Sequence, residues 1–130
     1  MPFDGRDFAR QSEMLCKLEA VTELLRTEER WCKRQLKTWD DRRCILGALM
    51  HVGGNAQLGE VILCAARELT GKSYRGVESF NDATTTTHPM VLAILNRSRD
   101  IILSGRVHVT KPPTVEARVR GFYAALARIG

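Results

Sequence analysis

Apolar residues recur at helical intervals along most of the chain. Between about Arg10 and Glu29 they fall at Met14, Leu15, Leu18, Val21 and Leu25. That i, i+3, i+4, i+7 spacing lays one stripe along one face of a helix. Glu13, Lys17, Glu19 and Glu23 take the other face, with Glu13 and Lys17 spaced for an ion pair. The stretch from Arg42 to Val52 is apolar on nearly every side, through Cys44, Ile45, Leu46, Ala48, Leu49 and Met50. Such a pattern predicts a short, buried central helix near 43–52. Asp40 or Asp41 stands where a side chain caps that helix, and Gly53-Gly54 stops it. Asn55 then opens a helix running to about Thr70, with Leu58, Val61, Ile62, Ala65 and Leu69 on one face and Gly71 at its end.

A further helix starts at Thr87 or His88, with Pro89 in its first turn, where a missing N–H costs nothing. Its stripe is Val91, Ile94, Leu95, Ser98, Ile101 and Ile102, and Ser104-Gly105 ends it. The cleanest stripe is the last: Val115, Val119, Phe122, Leu126 and Ile129 predict a helix over about 114–129. Residues 30–41 fit no single face, and 71–87 read as the longest irregular stretch, with Tyr74, Val77 and Phe80 available to anchor it. Residues 1–9 read as a flexible lead-in and 104–113, with its two prolines, as an irregular link. Together these elements predict an all-α fold: one domain over 1–130, a compact bundle of about five helices.

Composition sharpens this picture in three places. The chain has 130 residues, 44% of them hydrophobic but only 6% aromatic, so the core is aliphatic and large enough to fold without metal or disulfide staples. No apolar stretch approaches the length of a membrane span. The residues Met1 to Arg6 include Asp4 and lack the apolar run of a signal peptide, so a cytoplasmic protein is expected. Cys16, Cys32, Cys44 and Cys64 form no Cys-x-x-Cys pair. Three of them lie among apolar residues, and all are expected as free thiols, Cys16, Cys44 and Cys64 packed as small hydrophobes. The histidines, at 51, 88 and 108, are too scattered to suggest a metal site, and no cofactor motif is present.

The motifs resemble a family. Trp39, then Cys44 with Gly47-Ala48-Leu49, then Asn81-Asp82, then a Thr-led helix with Val91-Leu92 and Leu95, are similar to the pattern of a small helical domain found in bacterial and phage genomes and known only as a domain of unknown function. The resemblance covers roughly residues 30–103. Phe80 stands where that family tends to have Trp, and the segment from Trp39 to Cys44 is short for it. The resemblance implies a compact helical domain and no reaction.

Two groups of residues are candidates for function. Asn81 and Asp82, read as loop residues near His88, are able to hold a ligand or a proton; the same residue types also shape turns by bonding their own backbone. Arg30, Lys33, Arg34, Lys37, Arg42 and Arg43 are interleaved with Trp31 and Trp39 and opposed only by Asp40 and Asp41. Cations for phosphates and indoles for stacking on bases are what a nucleic-acid surface needs. Against that, the same tryptophans serve equally to anchor the segment to the core. The chain as a whole carries +5. Cys44 with His51 and His88 makes a poor thiol nucleophile, since burial raises a thiol pKa and Asp40-Asp41 opposes ionisation. No catalytic residue is therefore assigned. The expected function is a non-enzymatic module that binds another protein or itself, the last helix offering a heptad-like seam. The alternative is a basic nucleic-acid-binding accessory protein using residues 30–43.

Overall fold

The computed structural model describes residues 5–105, with side chains from Arg10 onward. Helix α1 spans Gly5–Leu24, starting inside the predicted lead-in. Met14, Leu18 and Val21, with Leu25 just beyond the helix, form its buried stripe. The helix stops short of the predicted Glu29. The Leu25 carbonyl accepts a bond from His88 Nε2 at 2.7 Å, so it is taken by a distant side chain where a continuing helix would use the amide of residue 29. A single 3-10 turn at Glu28–Arg30 follows.

Residues 31–43 form an open loop closed on itself by two isolated bridges. Trp31 pairs in parallel with Arg43, and Lys37 pairs with Arg43 in the antiparallel sense. Arg34 and Asp41 turn the chain with positive φ, 67° and 65°. Helix α2, Ile45–His51, follows, and Ile45 to Leu49 are all buried. The predicted caps are corrected here. Cys44 is the N-cap, its Sγ accepting from the Gly47 amide at 3.2 Å. Asp40 and Asp41 instead bond within the loop, Asp40 to Thr38 and Arg42, Asp41 to Lys37.

Helix α3, Ala56–Thr70, is capped as expected by Asn55, whose Oδ1 accepts from the Leu58 amide at 2.9 Å, and ends at Gly71 in the left-handed region. Its stripe is buried through Ala66, but Leu69 in the last turn is exposed, contrary to expectation. Helix α4, Val77–Asp82, lies inside the stretch read as irregular. Six residues are too few to show a period in sequence. Val77 and Phe80 bury this helix, and Tyr74 packs edge-on against Phe80, ring centroids 5.4 Å apart. Helix α5, His88–Leu103, buries every residue of its predicted stripe from Val91 to Ile102.

Packing follows from these faces. Helix α5 lies along α3 and α1, while α2 sits against α1 and α4. His88 at the start of α5 meets Leu25 at the end of α1, and Gln11 near the start of α1 donates to the Ile102 carbonyl at 2.6 Å. The two helices are therefore antiparallel. Among the described residues the fold is all-α with five α-helices and no strand. That number includes α4, which the sequence pattern did not reveal. The helix expected at 114–129, and most of the link before it, lie outside the described residues. Among the described residues no helix is long and apolar enough to cross a membrane.

Candidate functional site

The two groups of candidate residues meet at one side chain. Asn81 is not on a loop: it is the penultimate residue of α4 and is fully buried. Its Oδ1 accepts from the Trp31 indole N–H at 2.8 Å and from the Ile45 amide at 3.1 Å. Its Nδ2 donates to the Cys32 carbonyl and to the Asp82 carboxylate, each at 3.0 Å. All four hydrogen-bonding positions of the amide are used. Asp82 also accepts from the Arg34 amide at 2.8 Å. Asn81 and Asp82 thus hold the loop at Trp31, Cys32 and Arg34 on one side and at Ile45 on the other.

The remaining contacts tighten the same clamp. The Lys33 ammonium donates to the Ala83 carbonyl at 2.7 Å and lies 5.5 Å from the centre of the Trp31 ring. His88 is buried, with its ring 6.0 Å from that of Trp31. It is a tether between α5 and the end of α1 more than a helix cap. Thr86 Oγ1 donates to the Phe80 carbonyl at 2.6 Å, which turns the chain from α4 into α5.

Burial separates the two tryptophans of the expected nucleic-acid surface. Trp31 is buried and cannot stack on a base. Trp39, part of the expected patch and of the family resemblance, is 96% exposed. Its neighbours are charged in balanced pairs: Lys37 with Asp41 at 3.0 Å and Arg42 with Asp40 at 3.2 Å. The Lys37 ammonium holds the Asp41 carboxyl below its usual range, and the Thr38 hydroxyl does the same for Asp40. Of the other cations, Arg30 donates to the Glu23 carbonyl and Arg43 lies against His51. Arg34 is exposed. No sequence signal separates the roles of Trp31 and Trp39, because the difference lies in a bond to Asn81, fifty positions beyond Trp31.

The cysteines also divide differently from expectation. Cys44 is buried, Cys32 is half-buried, and Cys16 and Cys64 are exposed; all four are free. Among the described residues no three His, Cys, Asp or Glu side chains converge as a metal site requires. Burial pushes the Cys44 thiol up, from 9.0 to about 11. Between those values the unfolded chain has lost a proton that the folded chain keeps, so stability falls as pH rises through this window. The expected loss is on the order of 2 kcal/mol. Thermal melts of the wild type and Cys44→Ser across the alkaline range check this. The serine keeps an acceptor for Gly47 but does not titrate, so the difference between the two proteins should shrink as pH rises.

The sequence model of a family of unknown function, DUF6197, matches residues 10–100. No curated protein and no solved structure matches the chain.

Proposed function

The chain belongs to this family of unknown function, and we propose that it is a non-enzymatic, cytoplasmic protein-interaction module whose contact is Trp39 and the loop beneath it. One observation carries this reading: a tryptophan 96% exposed on a loop that a single buried Asn81 grips at both ends. Tryptophan is highly buried on average, and an exposed one leaves a large apolar area in water. The same residue is among the most enriched in the energetic centres of protein interfaces. A loop already held in place loses little freedom on binding, which preserves the affinity that its contacts supply.

The rim favours a protein over a polyanion. Lys37, Asp40, Asp41 and Arg42 make two ion pairs around Trp39, so its immediate surroundings carry no net charge. Balanced charge around an apolar centre suits the polar rim of a protein interface. The partner is another protein or a second copy of this chain. The second reading is nucleic-acid binding through residues 30–43, supported by the six basic residues there against two acids.

Trp39→Ala is the decisive substitution. It should change stability by no more than about 0.5 kcal/mol, since the side chain packs against little. Photocrosslinking in cells from position 39 should yield a discrete protein adduct, of this chain or another. The same group placed at the exposed Arg99 should not. Affinity for the adducted protein should fall by at least roughly thirtyfold in Trp39→Ala, as for an interface hot spot. The reading fails if position 39 gives no protein adduct. It gives way to the second reading if labelled oligonucleotides bind at physiological salt and charge reversal at Lys33, Arg34 and Lys37 abolishes that binding.

A further inference from the structure

Two of the four cysteines are brought together at the foot of the Trp39 loop. The parallel bridge between Trp31 and Arg43 is made by two bonds, Arg43 N–H to the Arg30 carbonyl at 2.8 Å and Cys32 N–H to the Arg43 carbonyl at 3.0 Å. Cys32 and Cys44 are each the next residue along, and past them the Cys32 carbonyl and the Ile45 amide are joined through the Asn81 side chain, so the two cysteines flank one end of the bridge. Paired strands run roughly 4.8 Å apart. A bridge one residue away therefore brings the two cysteines toward the range of about 4.4–6.8 Å that a disulfide requires between Cα atoms.

The sulfurs converge independently of this pairing. The Cys32 thiol donates to the Gln35 carbonyl at 3.4 Å, and Cys44 Sγ accepts from the Gly47 amide at 3.2 Å. The backbone next to those two groups is in direct contact: a Cβ built on Gly47 would stand 1.9 Å from the Leu36 carbonyl oxygen. The two thiols therefore face the same small region between the loop and the first turn of α2. Cys32 is half-buried and within reach of a reagent, while Cys44 is buried.

We propose that Cys32 and Cys44 are a redox pair, which a low-molecular-weight disulfide such as oxidised glutathione converts to one intramolecular disulfide closing the loop that carries Trp39. In the first step the Cys32 sulfur, giving up its proton, attacks the glutathione disulfide and expels one glutathione thiolate. In the second the Cys44 sulfur attacks the mixed disulfide at Cys32 and expels the other. Two cysteine thiols are oxidised, one glutathione disulfide is reduced to two thiols, and the two protons pass to the glutathione sulfurs. Burial raises the pKa of both cysteines, which makes the exchange slow. It also makes both thiolates poor leaving groups, so the bond once formed resists reduction. The bond does not rest on the reading of Trp39 as the contact.

The test uses the full chain with Cys16→Ser and Cys64→Ser, both at exposed positions, so that only the pair can report. After incubation with oxidised glutathione at about pH 8, where thiol exchange is practicable, the protein should lose the mass of two hydrogens. Trypsin cleavage within the loop, at Lys33, Arg34 or Lys37, should then leave fragments that stay joined until a reductant is added. Adding Cys32→Ser should abolish both signs; Cys44→Ser should leave a glutathione adduct on Cys32. A stable glutathione adduct on Cys32 with Cys44 present would overturn the proposal. So would two thiols left unmodified under conditions that modify Cys16 and Cys64 in the wild type. These readings are masses and need no binding partner, so they decide the disulfide whether or not position 39 crosslinks.

Discussion

Replacing Asn81 with alanine should be the most damaging single truncation of a polar side chain in this protein. The substitution leaves the Trp31 indole N–H, the Ile45 amide and the Cys32 carbonyl without the partner they have at 2.8, 3.1 and 3.0 Å. Each buried polar group stranded in this way costs about 1–3 kcal/mol. Some of the three will recover water as the loop loosens, so a total of roughly 3–5 kcal/mol is expected. That is a large part of the 5–15 kcal/mol typical of a whole domain. The melting temperature should fall by roughly 10–20 °C, at about 4 °C per kcal/mol for a chain of this size. Trp31→Phe removes only one of the bonds and should cost far less. In the double variant the two effects should fall short of their sum, because the phenylalanine no longer presents a donor to strand. Urea melts of the four proteins measure this directly. Equal losses from Asn81→Ala and from truncation of an exposed residue would show that the clamp does not hold the loop.

The second large effect is expected at Gly47, where two contributions oppose each other. Gly47 lies inside α2, and alanine in a helix is favoured over glycine by about 1 kcal/mol. A Cβ at this position, however, would stand 1.9 Å from the Leu36 oxygen and 2.8 Å from the Leu36 carbonyl carbon. Those are backbone atoms and cannot turn aside as a flexible side-chain tip does. Either α2 or the loop must shift, and the loop is held by Asn81 at both ends. Overpacking a well-filled site costs typically 1–3 kcal/mol and sometimes more. The clash therefore outweighs the propensity, and Gly47→Ala should destabilise by about 2 kcal/mol or more. It should also displace the Trp39 loop. Trp39 fluorescence, isolated in a Trp31→Phe background, reads that displacement. A gain in stability would mean that the loop and α2 do not touch as described.

Both expectations concern the same joint, and sequence reading reached only part of it. The spacing of Met14, Leu18, Val21 and Leu25, or of Val91, Ile94, Leu95, Ser98, Ile101 and Ile102, is local information, and it located the buried faces of α1 and α5. So did the end signals Asn55 and Gly71, which act on the backbone within a few residues of themselves. That Gly47 meets the backbone of Leu36 is a tertiary contact with no local signal. Cap assignment went astray for a related reason. Two aspartates just before a helix are good cap candidates, but Lys37, Thr38 and Arg42 compete for them within the loop. The nearer Cys44 sulfur took the role.

The sequence by itself determined an all-α fold, the faces that four of the five described helices turn inward, and the residue types from which a site would be assembled. Each follows from periodicity and from short-range capping, which depend on neighbours three or four positions away. The tertiary structure alone decided that Trp31 is core and Trp39 is surface, and that Asn81 is a buried clamp. Those outcomes depend on hydrogen bonds and contacts between residues far apart along the chain. Two tryptophans in similar basic surroundings have the same local propensities, and only a distant partner distinguishes them.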